Sequence, residues 1–150
     1  MLDALKSLLF SNRSIGDHDP VALATTVLLV EAGMMDGTFG PEERASVLAL
    51  VRQRFSLDDA GAARLLAAGE AEAARSAELY SHTRTVKDNL SYNERLDIIE
   101  MVWEVVYADG HLHDFEANLM RRLNRLLFVE DADSGLARKR VLDRLGLSSS

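Results

Sequence analysis

SYNERLDIIEMVWEVVYADG (Ser91–Gly110) spells out a helix with its start, its buried face and its stop. Ser91 and Glu94 have the spacing of a capping box, in which the Ser hydroxyl accepts the Glu94 N–H and the Glu carboxylate reaches back to the Ser91 N–H. Leu96, Ile99, Val102, Trp103 and Val106 then share one face at helical spacing. Asp109-Gly110 ends the run, because Gly enters the left-handed conformation that closes a helix.

The signal that stops this helix occurs twice. DGTFGPEE (Asp36–Glu43) and DGHLHDFE (Asp109–Glu116) share Asp-Gly, an apolar residue three after the Asp and a Glu seven after it. An ungapped overlay at 73 residues also sets Glu31 on Glu104, Val47 on Met120, Leu50 on Leu123, Phe55 on Phe128 and Asp58 on Asp131. The pattern predicts an internal repeat with two similar halves. Each is a long helix, an Asp-Gly turn, a second helix and a Phe-containing exit, and the halves pack as hairpins about an approximate two-fold axis.

Outward from these segments the chain reads as helix throughout. MLDALKSLLF is a short amphipathic helix and SNRSIGDHDP a linker, whose Asp-Pro suits a helix start at Pro20. An apolar helix runs from there to Met35, and Pro41 opens the next, with Val47, Leu50, Val51 and Phe55 inward. Further helices are expected over Asp58–Ala74, over ELYSHTRTVKDNL, from Phe115 to Leu126 and from Leu136 to Leu145. No segment alternates like a strand. The expected fold is all-α, a single-domain bundle of seven or eight helices, with residues 1–19 as helix and linker before a domain over 20–150.

Composition narrows the chemistry. The chain has 47% hydrophobic and 27% charged residues, an ordinary globular balance. Its net charge of −7 speaks against a dedicated nucleic-acid binder, although Arg121, Arg122, Arg125, Arg138, Lys139, Arg140 and Arg144 crowd the last thirty residues. Without cysteine there is no disulfide, thiolate nucleophile or Cys-held cluster. MLDALKSLLF lacks a basic n-region and a cleavage site, and VALATTVLLV is too short to span a bilayer, so a cytoplasmic protein is expected.

The Asp-Gly octets match the second half of an EF-hand loop but fail its first half, where Ala32 and Met34, or Val105 and Tyr107, replace the ligands. An independent calcium loop is therefore not expected. The octets serve turn architecture first: Gly37 and Gly110 close helices, Phe39 and Leu112 act as staples, and Glu43 and Glu116 sit in the first turn of the next helix. If the turns meet, Glu31, Asp36, Glu43, Glu104, Asp109 and Glu116 converge on an acidic patch. Such a patch suits a divalent cation (Ca, Mg, Mn or Zn) or a basic partner. His111 and His113 add imidazoles to the second octet alone, whereas His18 and His82 stand isolated. Met34 and Met35 read as core residues. No catalytic triad, phosphate loop or HExxH is present, so no enzymatic activity is expected.

VEAGMMDGTFGPEERASVLALVRQRF, the middle portion SAELYSHTRTV and ERLDIIEMVWEVVYADGHLHDFEANLMRRL together resemble the bacterial tellurite-resistance TerB family over roughly residues 20–130. The resemblance implies an all-helical cytoplasmic domain with two similar halves and no known enzymatic activity. It also implies an acidic surface for metal or protein partners, at Glu31, Asp36, Glu43, Glu104, Asp109 and Glu116. Tellurite resistance or stress response is the implied setting, beside a membrane-associated complex. A non-catalytic interaction or scaffold protein is the leading expectation, open to homo-oligomers, and a metal-dependent hydrolase using the same carboxylates is the alternative.

Overall fold

Residues Pro20–Gly33 form α1, whose sequence is apolar on almost every side. A helix with no polar face has to be covered all round. The chain does this by packing helices on several sides of it: α2 (Pro41–Arg54), α3 (Asp59–Arg75), α4 (Leu79–Asn89) and α5 (Tyr92–Val106) all contact α1. Leu28 and Leu29 are fully buried at its centre. The computed structural model describes residues 19–34, 39–75, 79–110 and 117–147, and no strand occurs among them. The N-terminal helix expected over residues 1–10 lies outside the described residues.

Two further helices, α6 (Ala117–Leu126) and α7 (Asp131–Leu145), bring the number among the described residues to seven. α7 lies along α5, and α6 bridges α4 and α7. Leu65, Leu66, Ile98, Ile99, Val102, Leu123, Leu127 and Leu142 join α1 in one continuous apolar core. The architecture is an all-α bundle, as the periodicity requires.

The helix ends follow local rules. Ser91 and Glu94 form the capping box in both directions, with Ser91 N–H donating to Glu94 Oε1 at 2.9 Å and Glu94 N–H to Ser91 Oγ at 3.2 Å. Asp19 accepts the Val21 N–H at 3.2 Å, with Pro20 at the first helical position. Gly110 has φ +81°, left-handed as expected, but it lies beyond the stop: α5 ends at Val106 and Tyr107 caps it. α7 begins at Asp131 rather than near Leu136. Asp131 and Asp133 in its first turn favour the positive end of the helix dipole, and Gly135 does not interrupt it. Met34 is 46% exposed at the end of α1 and is not a core residue.

The overlay at 73 residues holds at some helix ends and slips at others. The closing bonds of α1 and α5, Met34 N–H to Val30 O and Tyr107 N–H to Trp103 O, stand 73 apart. The caps before α1 and α5, Asp19 and Ser91, stand 72 apart. So do the closing bonds of α2 and α6, Leu57 N–H to Arg52 O and Val129 N–H to Asn124 O. α5 is one residue longer than α1, which matches the difference between their starts and ends but not the offset of 72 at the ends of α2 and α6, so a repeat in one register is not confirmed. The packing also differs: α1 is enclosed by four helices, whereas α5 leans chiefly on α7 and α1.

Gly135 offers a first test. A Cβ there meets nothing within 4 Å. Gly135→Ala should therefore stabilise the domain by about 0.5–1 kcal/mol through helix propensity and reduced freedom of the unfolded chain. Urea denaturation of the two proteins checks this, and a lower midpoint for the Ala variant would contradict it.

Candidate functional site

The acids singled out by the repeat are held by different elements for different reasons. Glu43, at the third position of α2, is 7% exposed and accepts the Gly40 N–H at 2.8 Å. It thus satisfies the helix start, the structural task expected of it. Phe39 lies against Gly33, where a Cβ would come within 2.7 Å of its ring, so the ring packs back on α1, the preceding helix, where a staple on the following helix was expected.

Glu31, near the end of α1, faces α4. Burial raises its pKa above the ordinary 4.5, and the neighbouring His82 partly offsets this. Burial likewise lowers the His82 pKa below 6.5, against the pull of Glu31. His82 Nε2 also lies 3.6 Å from Glu72 on α3. Three helices thus bring together two carboxyl groups and an imidazole. His82 stood isolated in the sequence because its partners are ten and fifty-one positions away on other helices. No spacing rule reaches that far.

The two titrations have opposite signs. His82, with its folded pKa below the unfolded value, contributes stability that is present above pH 6.5 and lost as pH falls through the lowered value. Glu31, with its folded pKa above 4.5, contributes stability at low pH that is lost as pH rises through the raised value. His82→Gln should therefore flatten the loss of stability below pH 6.5, and Glu31→Gln should stabilise near pH 7 more than near pH 4. Urea titrations across that range measure both, and unchanged slopes would show that burial shifts neither group.

Glu104 lies on the other side of α5 and turns toward α7, where Arg144 donates to it at 2.7 Å. Glu100, one turn earlier, accepts from Arg140 at 2.8 Å and Arg144 at 2.9 Å. Burial pushes the Glu100 carboxyl up, but these two arginines outweigh it and hold the group below the usual carboxylate range. The network borders an open groove of about 570 Å³ between α2, α5 and α7. Leu50 and Met101 supply its apolar lining; Gln53, Arg54, Asp97, Glu100, Glu104 and Arg144 supply the polar part. Arg140 and Arg144, two of the basic residues that crowd the last thirty positions, are here the counterions of α5.

Asp109 is half-buried in the turn after α5. Asp36, Glu116, His111 and His113 lie outside the described residues. Glu31, Glu43 and Glu104 therefore serve an α4-facing cluster, a helix cap and an α7 ion pair respectively. Among the described residues no three carboxylate or imidazole groups are grouped so that they could hold a cation. Nor, among them, is any helix long and apolar enough to cross a membrane.

No curated protein and no solved structure matches the chain significantly. A family match does exist and covers most of the bundle, from within α1 to within α7: residues 22–139 match the family described as Tellurite resistance protein TerB. Because that match spans most of its length, the chain belongs to the TerB family of tellurite-resistance proteins.

Proposed function

We propose that this protein is a non-catalytic interaction domain of the cytoplasm, acting in a tellurite- or stress-related assembly by docking a protein partner in the groove between α2, α5 and α7. The observation that carries this is the composition of the groove. An apolar lining from Leu50 and Met101 is bordered by charges of both signs that are already ordered by mutual pairing. An apolar centre within a polar rim is the usual anatomy of a recognition surface. Pre-ordered arginines and glutamates also lose less side-chain freedom on binding.

Gln53 and Asp97 are exposed at the rim. A Gln53→Glu/Asp97→Arg double variant should fold normally by circular dichroism and lose the partner that the wild type captures by cross-linking in cells. An unchanged cross-linked species would refute the groove as the docking surface. Divalent-cation binding through Asp36, Asp109 and Glu116 is a separate part of the proposal. Calorimetric titration of Ca²⁺, Mg²⁺, Mn²⁺ and Zn²⁺ into wild type and an Asp36→Ala/Asp109→Ala variant tests it. Binding that persists in the variant would exclude that assignment.

One observation favours the hydrolase reading. Glu31 and His82 are neighbours with pKa values displaced toward each other, the arrangement general acid–base chemistry uses. Manganese-dependent turnover of p-nitrophenyl phosphate that disappears in Glu31→Gln would establish it over the interaction reading.

A further inference from the structure

A different surface carries a binding role of its own. α2 and α6 end in the same way, with a left-handed residue followed by an apolar residue whose N–H bonds back into the helix. At the end of α2 the left-handed residue is Ser56, φ 53°, and the adjacent Phe55 packs against the core. At the end of α6 it is Phe128, φ 55°, and its ring is 65% exposed. A phenylalanine is a poor choice for this conformation, which favours Gly or Asn. Nor does so exposed a ring contribute much to the core. Folding alone would not select it.

The ring stands between two hollows. One, of about 350 Å³, is lined by Thr83, Arg84, Lys87, Asp88, Arg125 and Leu126. Lys87 Nζ lies 4.7 Å from the centre of the Phe128 ring. Asp88 is the acid on this wall, and Arg84 and Lys87 share it at 3.5 Å and 3.4 Å. Arg125 is exposed, and Arg122 and Arg121, three and four positions before it, extend the positive charge along α6. The second hollow, about 300 Å³, has Glu130 and Asp131 on its wall. The surface is thus polar in a defined direction, positive toward α4 and negative toward the start of α7, with an apolar ring between.

We propose that this surface docks an acidic segment of a partner protein, its carboxylates over Arg84, Lys87 and Arg125 and an apolar side chain against Phe128. The geometry suits a short peptide better than a densely charged polyanion. Glu130 and Asp131 break the positive field within a few residues, and the protein as a whole is at −7. A local segment feels the basic wall within about one Debye length, roughly 8 Å at physiological salt. A membrane sheet or nucleic acid also meets the acids around it.

The test uses a fluorescein-labelled peptide, EDEELFG, and fluorescence anisotropy with the full chain. Saturable binding is expected, weaker when salt is raised, and weakened about tenfold or more by Arg125→Glu, a charge-assisted contact being worth at least that factor. Phe128→Gly should weaken it comparably while leaving the melting temperature unchanged or higher, because Gly accepts φ 55° without strain. That combination separates lost recognition from lost folding. Absence of saturable binding to the wild type, or wild-type affinity retained in either variant, overturns the proposal. So does pelleting with vesicles of about 30% phosphatidylserine, lost in Arg125→Glu, when the peptide does not bind.

Discussion

Trp103→Ala should lower the unfolding free energy by about 3–5 kcal/mol, the range for deleting a large buried aromatic. Trp103 is 7% exposed, and its indole N–H donates to both the carbonyl and the hydroxyl oxygen of Ser134 on α7, each at 3.1 Å. Its ring is stacked with Tyr107, centroids 5.8 Å apart and planes 9° from parallel. The Arg138 guanidinium lies 5.6 Å and 5.7 Å from the two ring centres, and its Nε donates to the Tyr107 hydroxyl at 2.8 Å. One side chain therefore joins apolar packing, a shared hydrogen bond and a cation–π contact between α5 and α7. A domain of this size has about 5–15 kcal/mol in all, so the variant should melt close to working temperature. Trp103→Phe keeps most of the ring packing and gives up the Ser134 bonds, for a smaller loss of about 1–2 kcal/mol. Urea unfolding followed by circular dichroism orders the three proteins. Equal losses in Phe and Ala would mean that the hydrogen bonds, rather than the packing, dominate.

Gly69→Val should cost about 3 kcal/mol, the upper end for overpacking. At this glycine α3 meets α1 so closely that a Cβ would come 2.5 Å from Thr26 Cγ2 and 3.1 Å from Thr26 Cβ. Thr26 cannot easily rotate away. It is fully buried, and its hydroxyl donates to Ala22 O at 2.8 Å. Gly69→Ala poses the same clash with a gain in helix propensity of about 1 kcal/mol on the other side, so its net loss should be smaller. The clashing atom is the threonine methyl, which serine lacks while keeping the hydroxyl. Thr26→Ser should therefore relieve Gly69→Ala, with a favourable coupling of about 1 kcal/mol in a double-mutant cycle. Additive effects would show that the strain is taken up elsewhere.

Much of the bundle was legible before any coordinates. The Ser91–Glu94 box and Asp19-Pro20 are statements about a few neighbouring backbone groups, and both appear as read; Gly110 is left-handed, but α5 stops before it, at Val106. The burial of α1 followed from apolar residues on all its sides. The start of α7 was missed: its apolar pattern begins only at Leu136, whereas the helix opens five residues earlier, at Asp131, on acids that favour its dipole. The ungapped register of 73 is kept by the closing bonds of α1 and α5 and missed by one at the caps before them and at the closing bonds of α2 and α6.

The candidate site was legible only as an inventory of acids. Sequence named Glu31, Glu43 and Glu104 as equivalents of a repeated design, and their chain neighbours justified only the role of Glu43. Which helix each of the other two faces was decided by packing: α4 brings His82 to Glu31, and α7 brings Arg144 to Glu104. The reason is one of range. Caps, turns and apolar faces are set within a few residues, so the sequence determines them by itself. An ion pair between positions forty apart exists only once the core has fixed how two helices lie together, and that was the decision of the tertiary structure.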